Sequence, residues 1–235
     1  MDVITLAPRL YHLRFPVGHA YLWESPDGLT LVDTGLPGSA PLVGDAIRAL
    51  GRDPSELRRI VLTHFHEDHV GSAAALAGPG VEVLAHRADA PFIQGERPGP
   101  PPVLADWERP IWDGVQARIK DVPEPDPVRV TRPLDGGDEI DLGGGTTAVA
   151  VAAPGHTPGS VALHLPDERV LFTGDTVARG PDGRVILGVF NCDPEQAAAT
   201  FRDLASLDAE IACFGHGDPA RENAAAELRA AAFAS

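Results

Sequence analysis

A histidine-rich segment that directly follows a short apolar stretch constrains this chain more than any other feature of its sequence. Residues 60–71 read Ile-Val-Leu-Thr-His-Phe-His-Glu-Asp-His-Val-Gly. The apolar stretch predicts a buried strand, and the polar residues after it predict a loop whose side chains can surround an ion. His64 and His66 are two residues apart, so an extended backbone directs both to one side. Asp68 and His69 lie where the chain turns toward a helix, which favours two adjacent ions over one.

Three further segments place a histidine or an aspartate beside glycine after an apolar stretch. They contain His156, Asp175 and His216, in the sequences Pro-Gly-His-Thr-Pro-Gly, Phe-Thr-Gly-Asp-Thr and Phe-Gly-His-Gly. Glycine allows the backbone to approach a neighbouring group closely. A single loop histidine is more often structural than functional, but five of the nine histidines fall in these four segments. We therefore interpret the four segments together as a candidate metal site.

The composition is that of a globular protein with an acidic surface. The chain has 235 residues, of which 43% are hydrophobic, and its formal net charge is −15. This charge repels phosphate backbones, so we expect no nucleic-acid partner. No apolar run reaches the roughly 20 residues of a membrane-spanning helix, and residues 1–15 lack the apolar core of a signal peptide, so we expect no membrane contact and a cytoplasmic location. Two cysteines, Cys192 and Cys213, are too few for a disulfide framework and are expected to be buried thiols.

Short apolar stretches alternate with turn signals and alanine-rich helical stretches along the chain. The helices expected to begin after Ser39 and after Asp193 both follow a residue type that caps helices. Strands and helices mixed through two similar halves predict an α/β sandwich, which we interpret as one domain over residues 1–235. Residues 87–127 differ, because four prolines within residues 95–102 exclude a regular element there. We expect this stretch to form a lid or a linker between the halves.

These motifs resemble those of the metallo-β-lactamase superfamily of hydrolases. The resemblance rests on H-x-H-x-D-H at residues 64–69, on the three downstream segments and on Leu-Val-Asp-Thr-Gly at residues 31–35. It implies a four-layer αβ/βα sandwich with a two-metal site at one edge of two facing sheets. The implied ligands are three side chains for each metal and one that bridges both: His64, His66 and His156 for the first, Asp68, His69 and His216 for the second, and Asp175 between them. Asp33 matches an aspartate that orients the ligands without binding metal.

The residue types agree with the chemistry that this resemblance implies. Imidazole and carboxylate suit zinc, and also iron or manganese, so we expect two Zn²⁺ ions with iron or manganese as alternatives. Two ions about 3.5–4 Å apart can share a bridging hydroxide and stabilise the charge that develops on a substrate oxygen. Asp68 would orient the hydroxide and carry a proton to the leaving group. The expected activity is hydrolysis of a carbonyl or phosphoryl centre in a small molecule.

Departures from individual branches of the superfamily narrow the substrate. Asp175 stands where the best-known zinc β-lactamases carry a cysteine, which argues against a β-lactamase. Glyoxalase II enzymes append a helical domain that binds glutathione, whereas here only a helix over 221–233 is predicted after His216, which argues against a glutathione thioester. A lactone, an ester or a thioester is therefore the expected substrate. A mononuclear-iron sulfur dioxygenase, a phosphodiesterase and a non-catalytic metal protein are the alternatives.

Three residues outside the metal motifs are candidates for substrate contact. His19 belongs to a loop over residues 15–20 that could overhang the site, although an exposed hairpin histidine gives the same pattern. Trp107 and Trp112 could form a wall of an apolar pocket, or could pack a helix onto the core. The other histidines belong to no motif and are expected to be structural: His12, His86 and His164.

Overall fold

In the computed structural model, which describes residues 1–233, two β-sheets pack face to face. The first sheet contains seven strands in chain order: β1 (Asp2–Ala7), β2 (Leu10–Arg14), β3 (His19–Ser25), β4 (Gly28–Val32), β5 (Leu57–Leu62), β6 (Glu82–His86) and β7 (Arg132–Leu134). The strands from β1 to β4 pair antiparallel, and those from β4 to β7 pair parallel.

The second sheet is assembled from the second half of the chain. Its strands are β8 (Glu139–Gly143), β9 (Thr146–Ala152), β10 (Val161–Leu165) and β11 (Val170–Gly174), followed, after a two-stranded ribbon of β12 (Val177–Arg179) and β13 (Val185–Leu187), by β14 (Ile211–Phe214). Strand β14 pairs parallel with β11, while the other neighbours in this sheet pair antiparallel.

Seven α-helices and one short 3₁₀-helix connect the strands within residues 1–233. They are α1 (Ala40–Ala49), the 3₁₀-helix (Pro54–Glu56), α2 (Glu67–Val70), α3 (Ala73–Leu76), α4 (Ala90–Ile93), α5 (Arg109–Ile119), α6 (Pro194–Ala205) and α7 (Ala224–Ala232). None of these helices combines the length and the apolar character that crossing a bilayer demands.

Three clusters of buried side chains define four layers. The middle cluster contains side chains of both sheets, among them Trp23 and Phe172. On the outer face of the first sheet, Ile47 of α1 belongs to a cluster with that sheet, and on the outer face of the second sheet, Phe201 of α6 packs with Leu171. The order of layers is helix, sheet, sheet, helix. The predicted four-layer αβ/βα sandwich is confirmed.

Strand β5 is covered on both faces, which explains why residues 60–62 before the histidines are all apolar. Ile60 and Leu62 belong to the cluster under the helices, whereas Val61 belongs to the cluster between the sheets. A parallel strand covered on both faces needs apolar side chains at consecutive positions rather than at alternate ones. Both faces of this strand are therefore fixed just before the chain reaches His64.

The two predicted helix caps have different outcomes. Asp193 accepts a hydrogen bond from the backbone N–H of Gln196 at 3.0 Å, so its role as a cap of α6 is confirmed. Ser39 occupies the N-cap position of α1 as predicted, but its side chain makes no capping hydrogen bond. The hydroxyl of Ser72 accepts from the backbone N–H groups of Ser39 and Ala40 instead, at 2.8 and 3.1 Å.

Residues 87–127 are less irregular than the prolines suggest. They include α4 and α5, which lie on either side of the proline-rich residues 95–102. Whether this stretch moves as a lid stays a prediction.

The expectation of buried thiols is confirmed for Cys213. It is wrong for Cys192, which is half-buried and lies beside the loop of Pro100.

One buried hydrogen bond between the sheets generates a stability prediction. Tyr21 of β3 donates from its hydroxyl to the backbone carbonyl of Phe214 at 2.7 Å, at the end of β14. We expect Tyr21→Phe to lower the free energy of unfolding by about 1–2 kcal/mol, because it leaves a buried carbonyl without its donor. Urea unfolding measures this change.

Tyr11→Phe is the matched control, since the Tyr11 hydroxyl bonds to Glu24 in a partly exposed position. That variant should change the free energy of unfolding by less than about 0.5 kcal/mol. Equal effects of the two substitutions would contradict a specific role for the bond between the sheets.

Candidate metal centre

Every candidate ligand lies in a segment that follows a strand of one of the two sheets, and Asp68 and His69 lie on the short helix α2. Strand β5 ends two residues before His64, and strands β11 and β14 end just before Asp175 and His216. A backbone hydrogen bond from Val161 N–H to the carbonyl of Thr63, 2.8 Å long, joins the sheets at this point. Carboxyl ends of parallel strands meet at one edge of a sheet, so the topology itself assembles the cluster.

The potential ligand atoms form overlapping groups. In each of three groups, the atoms of all three members lie within 4.8 Å of one another: His64, His66 and His156; His64, His69 and Asp175; Asp68, His69 and His216. His156 Nε2 lies 3.0 Å from His66 Nδ1, and His216 Nε2 lies 3.2 Å from Asp68 Oδ2. Two ligand atoms about 2.1 Å from a tetrahedral zinc ion are separated by roughly 3.4 Å, so this spacing suits a metal ion.

Asp175 lies between the two sets of ligands that the sequence assigns to separate metals. Its Oδ2 atom is 3.7 Å from His156 Nε2 and 3.9 Å from His64 Nε2. The same carboxylate lies 3.1 Å from His216 Nε2 and, through Oδ1, 3.3 Å from His69 Nε2. One side chain thus faces four imidazoles that come from both halves of the chain.

Several buried polar atoms of the cluster lack a hydrogen bond. Among residues 1–233, His64 Nε2, His69 Nε2 and Asp175 Oδ1 have no hydrogen-bond partner. Such atoms cost free energy unless something satisfies them. Gly215 leaves space for the carboxylate, because a Cβ atom there would overlap Asp175 Oδ1. Imidazole and carboxylate groups are ligands of zinc, iron and manganese, so the residues present fit metal ions.

The protonation of the histidines divides the cluster in two. Burial lowers the pKa of His66 to about 4 and that of His156 to about 3. These imidazoles are neutral at pH 7, which is the form that binds metal. Burial also acts on His216, but the carboxylates of Asp175 and Asp68 outweigh it and raise its pKa to about 10. The carboxylates of Asp175 and Asp68 therefore favour positive charge on their side of the cluster. Metal cations can supply this charge in place of protons.

Asp33 lies behind the cluster and contacts the ring of one candidate ligand. Its Oδ2 atom accepts a hydrogen bond from His69 Nδ1 at 2.8 Å, which leaves Nε2 of that ring facing the other ligands. The carboxylate also accepts from the backbone N–H and the hydroxyl of Thr63, each at 2.8 Å. The Asp33 backbone has a φ of +60°, a left-handed conformation that aspartate tolerates better than most residues. The structure places Asp33 where the sequence assigned an orienting role.

Sequence reasoning missed Asp89, which is fully buried and joins two of the ligand loops. It accepts hydrogen bonds from Phe65 N–H at 3.2 Å, from the Thr157 hydroxyl at 2.7 Å and from Gly159 N–H at 2.7 Å. Phe65 lies between two candidate ligands, and Thr157 follows His156. Burial raises the pKa of Asp89 to about 6, even though the three donors lower it. Its position shortly after β6 matches the strand-end pattern that could have identified it.

A cavity of about 660 Å³ opens directly onto the cluster. Trp107 and Trp112 both line this cavity, as do Pro16 and Val17 of the loop that was expected to overhang the site. The structure does not bring His19 to the cavity wall. Its ring is buried, with its centroid 4.6 Å from that of the His12 ring.

Removal of the Asp33 carboxylate should weaken metal binding. In Asp33→Ala, His69 loses the acceptor that holds its ring, so we expect zinc affinity to fall about 10- to 100-fold. Competition with a fluorescent zinc chelator measures the affinity. Asp45→Ala, at an exposed helical ion pair with Arg48, is the control and should bind zinc as the unmodified protein does. Unchanged affinity in Asp33→Ala would contradict the orienting role.

Removal of the Asp89 carboxylate should affect stability as well as metal binding. Asp89→Ala leaves three donors around it unsatisfied, so we expect the free energy of unfolding to fall by about 2–4 kcal/mol. Urea unfolding of the metal-free protein measures this loss separately from metal binding. Asp138→Ala, which removes an exposed carboxylate bonded to one backbone N–H, is the control. Equal stability of the two variants would show that Asp89 does not hold the loops together.

Comparisons with known proteins agree with the fold. The family model of the metallo-beta-lactamase superfamily matches residues 13–216. The probable metallo-hydrolase YflN of Bacillus subtilis (strain 168) is 28% identical over 243 residues, covering 91% of this chain and 85% of YflN. The hydroxyacylglutathione hydrolase of Rhodobacter capsulatus is 29% identical over 200 residues, covering 84% of this chain but only 61% of that enzyme.

Solved structures show the same architecture. BJP-1, a subclass B3 metallo-beta-lactamase of Bradyrhizobium japonicum, superposes with a TM-score of 0.70 at 23% sequence identity, covering all of this chain and 90% of BJP-1. At this identity the likeness concerns the fold alone. The match of the family model extends over most of the sequence and includes every candidate ligand. This chain belongs to the metallo-beta-lactamase superfamily of metallo-hydrolases.

Proposed function

We propose that the protein is a hydrolase that uses two adjacent metal ions to cleave lactones, esters or thioesters of small molecules. The observation that supports this most directly is the position of Asp175. Its carboxylate lies 3.1–3.9 Å from imidazole nitrogens of four histidines, which belong to both groups of ligands. One carboxylate in this position can serve two cations at once.

The proposed ligand sets follow the groups that the structure forms. They are His64, His66 and His156 for one ion, Asp68, His69 and His216 for the other, and Asp175 for both. Zinc is the proposed metal, with iron or manganese as alternatives. Bound cations would supply a hydroxide nucleophile near neutral pH and polarise the carbonyl group of the substrate.

The side chains around the cluster provide the remaining parts of the reaction. In hydrolysis, an oxygen from water forms a bond to the carbonyl carbon, the bond to the leaving oxygen or sulfur breaks, and a proton moves to the leaving group. Asp68 lines the cavity, so its carboxylate can accept the proton of water and return it to the leaving group.

Relatives support part of this range of substrates. Proteins named hydroxyacylglutathione hydrolase are among the relatives, which favours a thioester as one member of the set. This chain spans about three fifths of the length of the Rhodobacter capsulatus enzyme. We therefore do not include a glutathione group in the substrate that we propose for this chain. A β-lactam belongs in the test panel because solved structures named metallo-beta-lactamases share the fold.

Metal analysis combined with a substrate panel tests the proposal. We expect elemental analysis of the purified protein to find two zinc ions per chain. We also expect chelator-sensitive hydrolysis of a lactone, a phenyl ester or a thioester, restored by added zinc. One iron ion per chain with oxygen consumption would contradict the proposal in favour of a dioxygenase. Turnover of phosphodiesters alone would favour a phosphodiesterase.

Asp175→Ala tests the shared carboxylate. We expect this variant to retain at most one ion and to lose more than about 100-fold in kcat/KM, because both metals lose a ligand and the charge between them is uncompensated. Asp167→Ala removes an exposed carboxylate from the turn between β10 and β11 and should retain both ions and normal turnover. Two ions and normal turnover in Asp175→Ala would show that the shared ligand is assigned wrongly.

A further inference from the structure

Helix α5 (Arg109–Ile119) has an apolar face that the protein core does not cover. None of its eleven residues is buried. Its apolar residues nevertheless recur at the spacing of one helical face, at Ile111, Trp112, Val115 and Ile119. All four line the cavity beside the metal cluster. An exposed apolar face of this kind often marks a surface that binds another molecule.

The start of this helix is held firmly against the loop that follows β13. Glu108, which is 5% exposed, accepts hydrogen bonds from Phe190 N–H at 2.9 Å and from Ala105 N–H at 2.8 Å. The rings of Trp112 and Phe190 meet edge to face, with centroids 5.1 Å apart. The same loop is tied to a candidate ligand, because Cys192 N–H donates to the carbonyl of His156 at 3.1 Å. The apolar face of α5 therefore has a fixed position relative to the candidate metal ligands.

Two chemically different groups of side chains line the cavity. One group consists of candidate ligands, among them His66, Asp68 and Asp175. The other group is apolar: Val17, Trp112, Val115, Ile119, Ile186 and Phe190. Its volume of about 660 Å³ lies within the usual range of sites for small molecules.

The charges around the cavity disfavour an anionic substrate group. Arg179 lines the wall, but its guanidinium lies 2.6 Å from the carboxylate of Glu227 and also donates to the backbone carbonyls of Asp218 and Gly183. Arg118, at the last turn of α5, also lines the cavity, but its side chain is exposed to solvent, which screens its charge. The net charge of −15 adds a general repulsion of anions.

We propose that the apolar face of α5, together with residues 16–17 and residues 186–190, forms a subsite for an uncharged aliphatic acyl chain. The preferred substrates are then esters, thioesters or lactones whose carbonyl group carries such a chain, with the carbonyl at the metal cluster and the chain along α5. This inference rests on the proposed hydrolase function, whose substrate class it narrows.

A series of phenyl esters from acetyl to decanoyl tests the subsite in the zinc-loaded protein. Burial of one methylene group contributes up to about fourfold in transition-state binding, so kcat/KM should rise roughly 10- to 100-fold between the acetyl and the octanoyl ester. Chelator-sensitive turnover with the same kcat/KM for all chain lengths would overturn the subsite and leave the hydrolase function standing.

Variants on opposite sides of α5 locate the effect. In Trp112→Ala, the ratio of kcat/KM for octanoyl over acetyl ester should fall about tenfold, since the wall loses its largest side chain. Val115→Asn is a second variant that replaces an apolar contact with a polar one and should reduce the same ratio. Asp113→Ala, on the exposed side of the helix, should retain the ratio of the unmodified protein. Equal ratios in all four proteins would overturn the assignment to α5.

Binding of 1-octanol to the metal-free protein separates the subsite from catalysis, because this alcohol has no hydrolysable bond. Calorimetry should detect binding with a negative heat-capacity change, stronger than that of 1-butanol and weakened by Trp112→Ala. Octanol binding without turnover of any ester, thioester or lactone would support the subsite and contradict the proposed hydrolase function. Absence of a preference for 1-octanol over 1-butanol would overturn the subsite.

Discussion

The convergence of imidazoles from both sheets on one buried carboxylate is the constraint on which the candidate site depends. Asp175 comes from the second sheet, and it faces His64 and His69 from the first sheet as well as His156 and His216 from the second. Neither sheet alone can assemble this cluster. The packing of the two sheets and the chemistry of the site are therefore linked, because a shift of one sheet against the other would separate the ligands.

Buried hydrogen bonds set the position of the two halves at this edge. The Val161 to Thr63 bond joins the sheets through backbone groups, and the Tyr21 hydroxyl joins β3 to the end of β14. Asp89 connects the loop of His66 to the loop of His156 through three accepted hydrogen bonds. Polar groups of this kind specify one arrangement because each has a unique geometry, whereas the apolar core between the sheets tolerates small displacements.

The sequence predicts the fold and the convergence of the ligands well, for reasons that lie in local pattern. Residues 60–62 are apolar at consecutive positions because the strand is covered on both faces, and the ligands follow because strand ends face the site. The role of Asp89 is not visible in the same way, since its partners are 24 to 70 residues away in the chain. Ser39 is predicted correctly as the residue before α1, but the hydroxyl that accepts from the first backbone N–H groups belongs to Ser72, which only the tertiary fold brings near. The burial of His19 beside His12 depends on pairing between strands that local pattern does not fix.

We propose that seven side chains from both sheets bind two adjacent cations around Asp175. Anomalous diffraction from crystals of the zinc-loaded protein, recorded on both sides of the zinc absorption edge, distinguishes two bound ions from one. We expect two zinc peaks about 3.5–4 Å apart, on either side of the Asp175 carboxylate. A single peak at full occupancy, or zinc bound only at surface histidines, would contradict the claim.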